Sequence, residues 1–281
     1  MNKKNPLLTD TEELFIAGTG NLAEFEHRLC KQKGSTILFC HNGRAKFTID
    51  LKEYEIKRHS QVVLLPNSVL SIDETSKDFH ASYFTCSGTM FAEAVMRLES
   101  TFFQFIKNNP HYILPEENTG AVNGLMKATY AIYIDRENRF RNQIAKNHLQ
   151  SFLLDIYDKV YRFFSRKQIE GGSRQNELFG KFMQLIHKYS STEREVSFYA
   201  NELCISTKYL TGICRNETKD SAKKIIDDFA ILEIKVLLQS TGLTIQEIAD
   251  RLGFPDQSYL GRYFKRHEGM SPKEYQSKYS I

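Results

Sequence analysis

Lysine and arginine are the residues of this sequence whose placement best suggests a chemistry. Between Lys208 and Lys224 five basic residues stand against Glu217 and Asp220, and between Tyr259 and Ile281 another five stand against Glu268 and Glu274. The stretch between them, Ile225 to Asp256, holds two basic residues against six acidic ones. Cations clustered in this way neutralise phosphates, and the acidic stretch suits a face turned away from them. The signal is local: from Gln175 onward 15 basic residues face 14 acidic ones, and the whole chain carries only +4. Bulk charge therefore does not single out a nucleic-acid partner.

Other chemistries lack their patterns. Cys30, Cys40, Cys86, Cys204 and Cys214 are an odd number with no CxxC spacing. This argues against a disulfide framework and a zinc site, and predicts reduced, mostly buried thiols. His27, His41, His59 and His80 are scattered, and no GxSxG, P-loop or dinucleotide fingerprint is present. The expectation is therefore no catalytic residue, no metal ligand and no cofactor.

At 281 residues the chain is long enough for about two domains of roughly 150 residues each. With 41% hydrophobic and 26% charged residues it can bury real cores. The longest uncharged apolar run, Val62 to Ile72, contains Pro66 and is too short for a membrane span. Thr9, Asp10, Glu12 and Glu13 interrupt the start, so no signal peptide is read there and the cytoplasm is the expected compartment.

The elements that must carry the basic clusters follow from periodicity. From Gly34 to Ser87 the pattern has period two: Phe47, Ile49 and Leu51 alternate with Lys46, Thr48 and Asp50, and Tyr54 and Ile56 with Glu53, Glu55 and Lys57. Asn42-Gly43, between Ser35 to Cys40 and Lys46 to Leu51, is the dipeptide favoured in a type I′ hairpin. Further strands at Gln61 to Leu65, Val69 to Ile72 and Phe79 to Thr85 complete a small antiparallel sandwich or barrel. Helices are predicted over Met90 to Ile106, Thr119 to Ile134 and Phe140 to Lys167. The last has two apolar stripes, one of Ala145, Leu149, Phe152, Ile156, Val160 and Phe163, the other of Leu153, Tyr157, Tyr161 and Phe164. Two readings are open: one stripe packs on the sheet and the other on a second subunit, or both are buried in one subunit. Phe39, Phe47, Ile49, Val63, Leu65 and Phe84 either line a small-molecule pocket inside the sheet or fill a dry core. Gln168 to Asn176 is polar and holds Gly171-Gly172, so it reads as a linker.

The last hundred residues contain an internal repeat. Ala200 and Leu203 recur as Ala249 and Leu252 at an offset of 49, and Tyr209, Leu210 and Ser221 recur as Tyr259, Leu260 and Ser271 at an offset of 50. In each copy a short helix (Phe198 to Leu203; Ile245 to Leu252) precedes a tight break and a second helix (Thr207 to Glu217; Gln257 to His267), which is helix-turn-helix spacing. Thr244 and Glu247 form a capping box, Gly253 and Gly269 stop helices, Asp256 caps the next one, and Ser271-Pro272 opens a final helix. A connector from Asp227-Asp228 through Leu238, about 18 Å long, separates the copies. Recognition helices held parallel and about 34 Å apart can enter successive major-groove turns of one duplex.

These residues resemble the AraC/XylS family of bacterial transcription regulators. The likeness runs over Ile226-Asp-Asp through Leu237-Leu238, and over Thr244-Ile-Gln-Glu-Ile-Ala249, Leu252-Gly-Phe254, Ser258-Tyr259 and Arg262-Tyr-Phe-Lys265 to Gly269-Met-Ser-Pro272 and Tyr275. With the first copy it covers about Glu177 to Tyr279. By architecture, the upstream region resembles the cupin-like sensing and dimerisation domain that often precedes such a pair. The fold class implied is α+β: an antiparallel cupin-like β-sandwich with flanking helices over 1–170 (strands about 34–87, helices about 90–167), a linker over 171–176, and an all-α domain over 177–281 with two helix-turn-helix units joined by a linker helix.

The resemblance implies double-stranded DNA as partner, with Thr207, Lys208 and Thr211 as base readers in the first copy and Gln257, Ser258 and Arg262 in the second. Arg215, Lys265 and Arg266 are better placed as phosphate anchors. It also implies activation through RNA polymerase, a small-molecule effector, and a homodimer through the helix near residues 140–167. Gly212, Lys219 and Phe229 depart from the family pattern in the first copy, and Leu260 and Gly261 in the second. The competing reading is a cupin-type enzyme or ligand-binding protein whose helical tail is a protein-interaction module. Against it, the sheet region lacks the His-x-His, following Glu and late His of a metal cupin, with Leu70 near the place of that last histidine.

Overall fold

The computed structural model describes residues 7, 13–95, 98–164 and 174–279, and the chain divides into two compact units, Met1–Glu170 and Gly171–Ile281. Of the linker expected over 171–176, residues 171–173 lie outside the described ones, and Arg174, Gln175 and Asn176 are already helical.

Among the described residues the first unit has nine strands: β1 (Phe15–Gly20), β2 (Leu29–Lys31), β3 (Ser35–Asn42), β4 (Arg44–Ile49), β5 (Lys52–Lys57), β6 (Ser60–Leu64), β7 (Val69–Thr75), β8 (His80–Cys86) and β9 (His111–Ile113). Antiparallel ladders join them into a five-stranded sheet, β1-β8-β3-β6-β9, and a four-stranded sheet, β2-β7-β4-β5. β1, β2 and β9 fall outside the span 34–87. Two of them are only three residues long, too short for a period to register, and β1 is buried at four successive positions.

The five-stranded sheet is covered on both faces. Leu38, Cys40, Val62, Leu64 and Ala81 face the four-stranded sheet's Phe47, Ile49, Ile56, Leu70 and Ile72, whereas Phe15, Ile37, Phe39, Val63 and Phe84 face helices. This double burial explains the continuous runs in β3 and β6, where alternation would mark a half-solvated strand. It also divides the six residues considered as one pocket lining: Phe39, Val63, Leu65 and Phe84 belong to the core under the helices, and Phe47 and Ile49 to the core between the sheets.

Asn42-Gly43 does not close a hairpin. β3 and β4 belong to different sheets, so the dipeptide is a crossover, with Gly43 at φ +75° and Asn42 at ordinary negative φ. The two-residue loop with positive φ at both positions is Asp50-Leu51, at φ 47° and 74°, between the paired Ile49 and Lys52. Here side-chain support replaces glycine: Asp50 Oδ1 accepts from Val69 N at 2.8 Å, and Lys107 Nζ lies 3.4 Å from Asp50 Oδ2. Leu51, expected to share a strand face with Phe47 and Ile49, sits in this turn instead.

Helices α1 (Gly88–Ala94), α2 (Ser100–Asn108), α3 (Thr119–Ile134) and α4 (Arg141–Phe163) cover the outer face. The single helix expected over Met90 to Ile106 is therefore two. Its apolar spacing continues in phase across the break, which is why periodicity did not show it; Glu99, extended at ψ 144°, begins the second helix. Residues 165–167, the end of the long helix as expected, lie outside the described ones. Most of both stripes of α4 packs within the unit: Phe152, Ile156 and Val160 are buried with Leu153, the Tyr157 ring lies 5.1 Å from Phe102, and Phe164 lies 4.8 Å from Phe105, while Phe163 at the end of the first stripe is 49% exposed. The outward positions Gln143, Asn147, Ser151 and Asp158 are polar, with Leu154 and Phe163 the exposed apolar residues of the helix.

His41, His59 and His80 gather at one end of the five-stranded sheet. The His41 ring lies 5.7 Å from that of His80, and its Nε2 is 2.6 Å from Ser82 Oγ; burial, then His80, holds its pKa below the ordinary value. Among the described residues no group of three or more His, Cys, Asp or Glu is arranged to hold a metal ion, and no helix is long and apolar enough to cross a membrane. Cys30, Cys40, Cys86 and Cys214 are buried and outside any disulfide, and Cys204 is exposed.

A Cβ on Gly43 would lie 2.5 Å from the Phe79 backbone at a φ that L side chains rarely adopt. Gly43→Ala is expected to cost about 2–4 kcal/mol in urea unfolding, while Gly20→Ala, with open space around it, leaves the midpoint within about 0.5 kcal/mol of wild type.

Candidate nucleic-acid interface

The second unit consists of α5 (Arg174–Tyr189), α6 (Val196–Glu202), α7 (Thr207–Thr218), α8 (Ala222–Ser240), α9 (Ile245–Arg251), α10 (Gln257–Glu268) and α11 (Pro272–Tyr279). The pairs α6–α7 and α9–α10 are the two repeat copies. In both, the residue after the turn bonds back to the first helix: Ile205 N donates to Ala200 O at 3.0 Å and Phe254 N to Ala249 O at 2.9 Å. Cys204, at φ 52°, occupies the place of Gly253, at φ 65°. One residue separates Cys204 from the cap Ser206, whereas Phe254 and Pro255 separate Gly253 from the cap Asp256, and this extra residue turns the offset of 49 into 50.

Capping fixes where each helix begins. Ser206 accepts from Tyr209 N at 3.2 Å, Asp256 from Tyr259 N at 2.7 Å, and the Thr244–Glu247 capping box is fully formed. α8 begins five residues before the Asp227 expected from sequence, because Ser221 caps it through Lys224 N at 3.2 Å. Its 19 residues span about 28 Å. One end, with Ala222, Ile225, Ile226 and Phe229, lies in the core of the first copy, and the other, with Ile231, Ile234 and Leu238, in the core of the second.

A second tie comes from a residue the sequence reading passed over. Arg194, in the segment between α5 and α6, donates to Leu252 O at 2.8 Å, Gly253 O at 2.9 Å and Ser191 O at 3.0 Å, and its guanidinium lies 3.9 Å from the Phe254 ring centroid. Lys223 Nζ donates to Arg194 O at 2.9 Å and lies 3.0 Å from Asp227 Oδ1, which accepts from Tyr263 Oη at 2.8 Å. Burial, then the Asp227 contact, pushes the Tyr263 hydroxyl well above its ordinary pKa, so it stays a donor.

With the inner faces fixed by Leu210, Ile213 and Cys214 in α7 and by Leu260, Tyr263 and Phe264 in α10, the opposite faces are set. Lys208, Thr211 and Arg215 form one stripe at helical spacing, with Thr207 at its start; Ser258, Arg262 and Lys265 form the other, with Gln257 at its start and Arg266 beside it. All nine are exposed except Thr211, which is half-buried. Gly212 and Gly261 lie on these faces with nothing within 4 Å of an added Cβ. Tyr209 and Tyr259, read from sequence only as repeat markers, are 40% and 47% exposed at equivalent positions; their recurrence at an offset of 50 was the available signal.

Two helix-turn-helix copies on one shared helix make the second unit a tandem helix-turn-helix domain, and residues 199–278 match the family described as helix-turn-helix domain. The likeness to bacterial operon regulators is concentrated in that domain. The arabinose operon regulatory protein of Salmonella typhimurium is 30% identical over 83 residues, and the chain spans 30% of that protein's length and matches it over 30% of its own. The raffinose operon transcriptional regulatory protein RafR of Pediococcus pentosaceus is 18% identical over 273 residues, 97% of this chain and 95% of that one. Among solved structures, ToxT from Vibrio cholerae with an unsaturated fatty acid bound is 18% identical, with a TM-score of 0.51 over 93% of this chain and 94% of that one, a likeness of fold.

Removing the Arg194 fork leaves the carbonyls of Ser191, Leu252 and Gly253 without that donor. Arg194→Ala is expected to lower stability by about 2–3 kcal/mol in urea unfolding, and Arg194→Lys to recover little of it, because an ammonium cannot span the same acceptors. Lys219 closes α7 at φ 71°, where Gly269 closes α10 at φ 75°. Lys219→Gly is expected to raise stability by about 1 kcal/mol in the same measurement.

Proposed function

We propose that the protein is a sequence-specific, double-stranded-DNA-binding transcription regulator in which α7 and α10 each enter a major groove. The observation that carries the reading is that two copies of one fold each present exposed polar and cationic side chains on the outward face of their second helix while their inner faces are buried. Base reading is assigned to Thr207, Lys208 and Thr211 and to Gln257, Ser258 and Arg262. Arg and Lys donate to guanine, Gln pairs with adenine, and Ser and Thr serve either. Arg215, Lys265 and Arg266 hold phosphates, and Tyr209 and Tyr259 stand ready at the rim of each face.

The rest of the proposal concerns the whole chain: a cytoplasmic regulator without enzymatic activity, activating transcription through RNA polymerase. The relatives' printed functions, regulation of sugar operons, support the regulatory role, and the fatty acid bound to ToxT supports a small-molecule effector for the first unit. A homodimer belongs to the same proposal. Its contact is assigned to the helix near residues 140–167, where Phe140, Leu154 and Phe163 are exposed apolar side chains.

Fluorescence anisotropy of the full chain on DNA upstream of its own gene and on shuffled DNA, at two salt concentrations, tests the reading. Native DNA is expected to bind tighter at both. Arg262→Ala should cost about 1–3 kcal/mol and relax the preference at one base pair, and Lys265→Ala should weaken all sequences alike and shallow the salt dependence. Salt-insensitive affinity that is equal in both variants would sink this division of roles.

A further inference from the structure

At one end of the sandwich in the first unit an open cleft of about 420 Å³ lies between three connections: the β3–β4 crossover (Asn42, Gly43, Arg44), the β5–β6 turn (Lys57, Arg58) and the β7–β8 turn (Ser76, Asp78). Its charge is unusual for the ladder that builds it. On the outer face of the β4–β5 pair, Lys46 stands opposite Glu55 and makes an ion pair with Glu53 at 2.8 Å, but the next outward pair is Arg44 opposite Lys57. Like charges placed directly across a ladder destabilise it. Among the described residues neither the Arg44 guanidinium nor the Lys57 ammonium lies within ion-pair distance of a carboxylate. Arg58 adds a third cation, whose one carboxylate neighbour, Glu116, is 3.5 Å away and itself largely in solvent.

The cleft's own carboxylate offsets only part of this charge. Asp78 is engaged on both oxygens, accepting from Ser76 Oγ at 2.7 Å and from Asn42 Nδ2 at 3.3 Å, while Ser76 Oγ in turn accepts from Arg44 N at 2.9 Å. These bonds hold the crossover against the β7–β8 turn, and Gly43 permits that approach. Three cations against one occupied carboxylate leave an excess of two positive charges around a small-molecule-sized space.

We propose that this cleft binds a small dianion, a phosphate or a dicarboxylate, with the Arg44 fork and the Lys57 ammonium as its principal contacts and Arg58 at the rim. A guanidinium takes two oxygens of such a group at once, and an ammonium supplies a point charge. The site lies wholly in the first unit, so the inference does not depend on the DNA-binding reading. The like-charged pair it leaves in the empty protein is what a ligand would neutralise.

The test is thermal unfolding and calorimetric titration of the full chain with inorganic phosphate, glycerol 3-phosphate and succinate, each against chloride at matched ionic strength. At least one dianion is expected to raise the unfolding midpoint, and phosphate against succinate tells which oxyanion class is taken. Affinity should fall by about tenfold or more in Arg44→Gln and in Lys57→Gln, and persist in the double variant Arg262→Ala/Lys265→Ala. Without ligand, both glutamine variants should melt no lower than wild type, since each removes a repulsion. No effect beyond chloride with any of the three ions, or a loss that follows Arg262 and Lys265 instead, overturns the proposal. The readout contains no DNA, so its failure is distinct from failure of the regulator reading.

Discussion

The geometry of the second unit depends on how the Arg194 guanidinium is held. It has no carboxylate among its named partners; it is satisfied by backbone carbonyls, two of them at the end of α9, and by the face of Phe254. The carbonyl end of a helix carries partial negative charge, so a cation there gains from the dipole as well as from its hydrogen bonds. Because the arginine precedes the first copy and its acceptors end the first helix of the second, one side chain ties the entry of one copy to the turn of the other. α8 makes the same connection through apolar burial. With both in place, α7 and α10 cannot change their separation without breaking polar and apolar contacts together.

The first unit meets a different constraint, a sheet with no solvated face. Several of its buried polar side chains pair with one another or with the backbone: Thr36 Oγ1 lies 2.7 Å from Gln32 Oε1 and 2.9 Å from Thr85 Oγ1, and Ser35 Oγ donates to Leu64 O at 2.8 Å. Covering the outer face takes four helices, and α4 spends most of both apolar stripes inside the unit.

What could be read from the residues alone follows physical lines. Helix ends in the second unit were legible because capping is local: Thr244 with Glu247, Asp256 and Gly269 each act within a few residues of themselves. The stop before α2 was not, since an in-phase apolar pattern runs through it. Alternation located β4 and β5, whose outer face is wet, but the Asn42-Gly43 signal misled, because whether two strands pair is decided by which sheet each joins. The outward stripes of α7 and α10 followed from period and repeat. Arg194 did not: the acceptors by which it reaches the second copy are 58 and 59 residues away, and a lone arginine announces no carbonyl partner.

Laid over one another, the two outward faces are not copies. Gly212 takes the place of Arg262, Gly261 that of Thr211, Ser258 that of Lys208 and Gln257 that of Thr207. A bare patch on one helix lies where the other is best equipped, one position out of step. A duplex that met both faces would therefore need two unlike stretches in a set order, and the bound chain would have a front and a back along the double helix. A duplicated fold, so decorated, would not ask for a duplicated sequence; it would tell upstream from downstream.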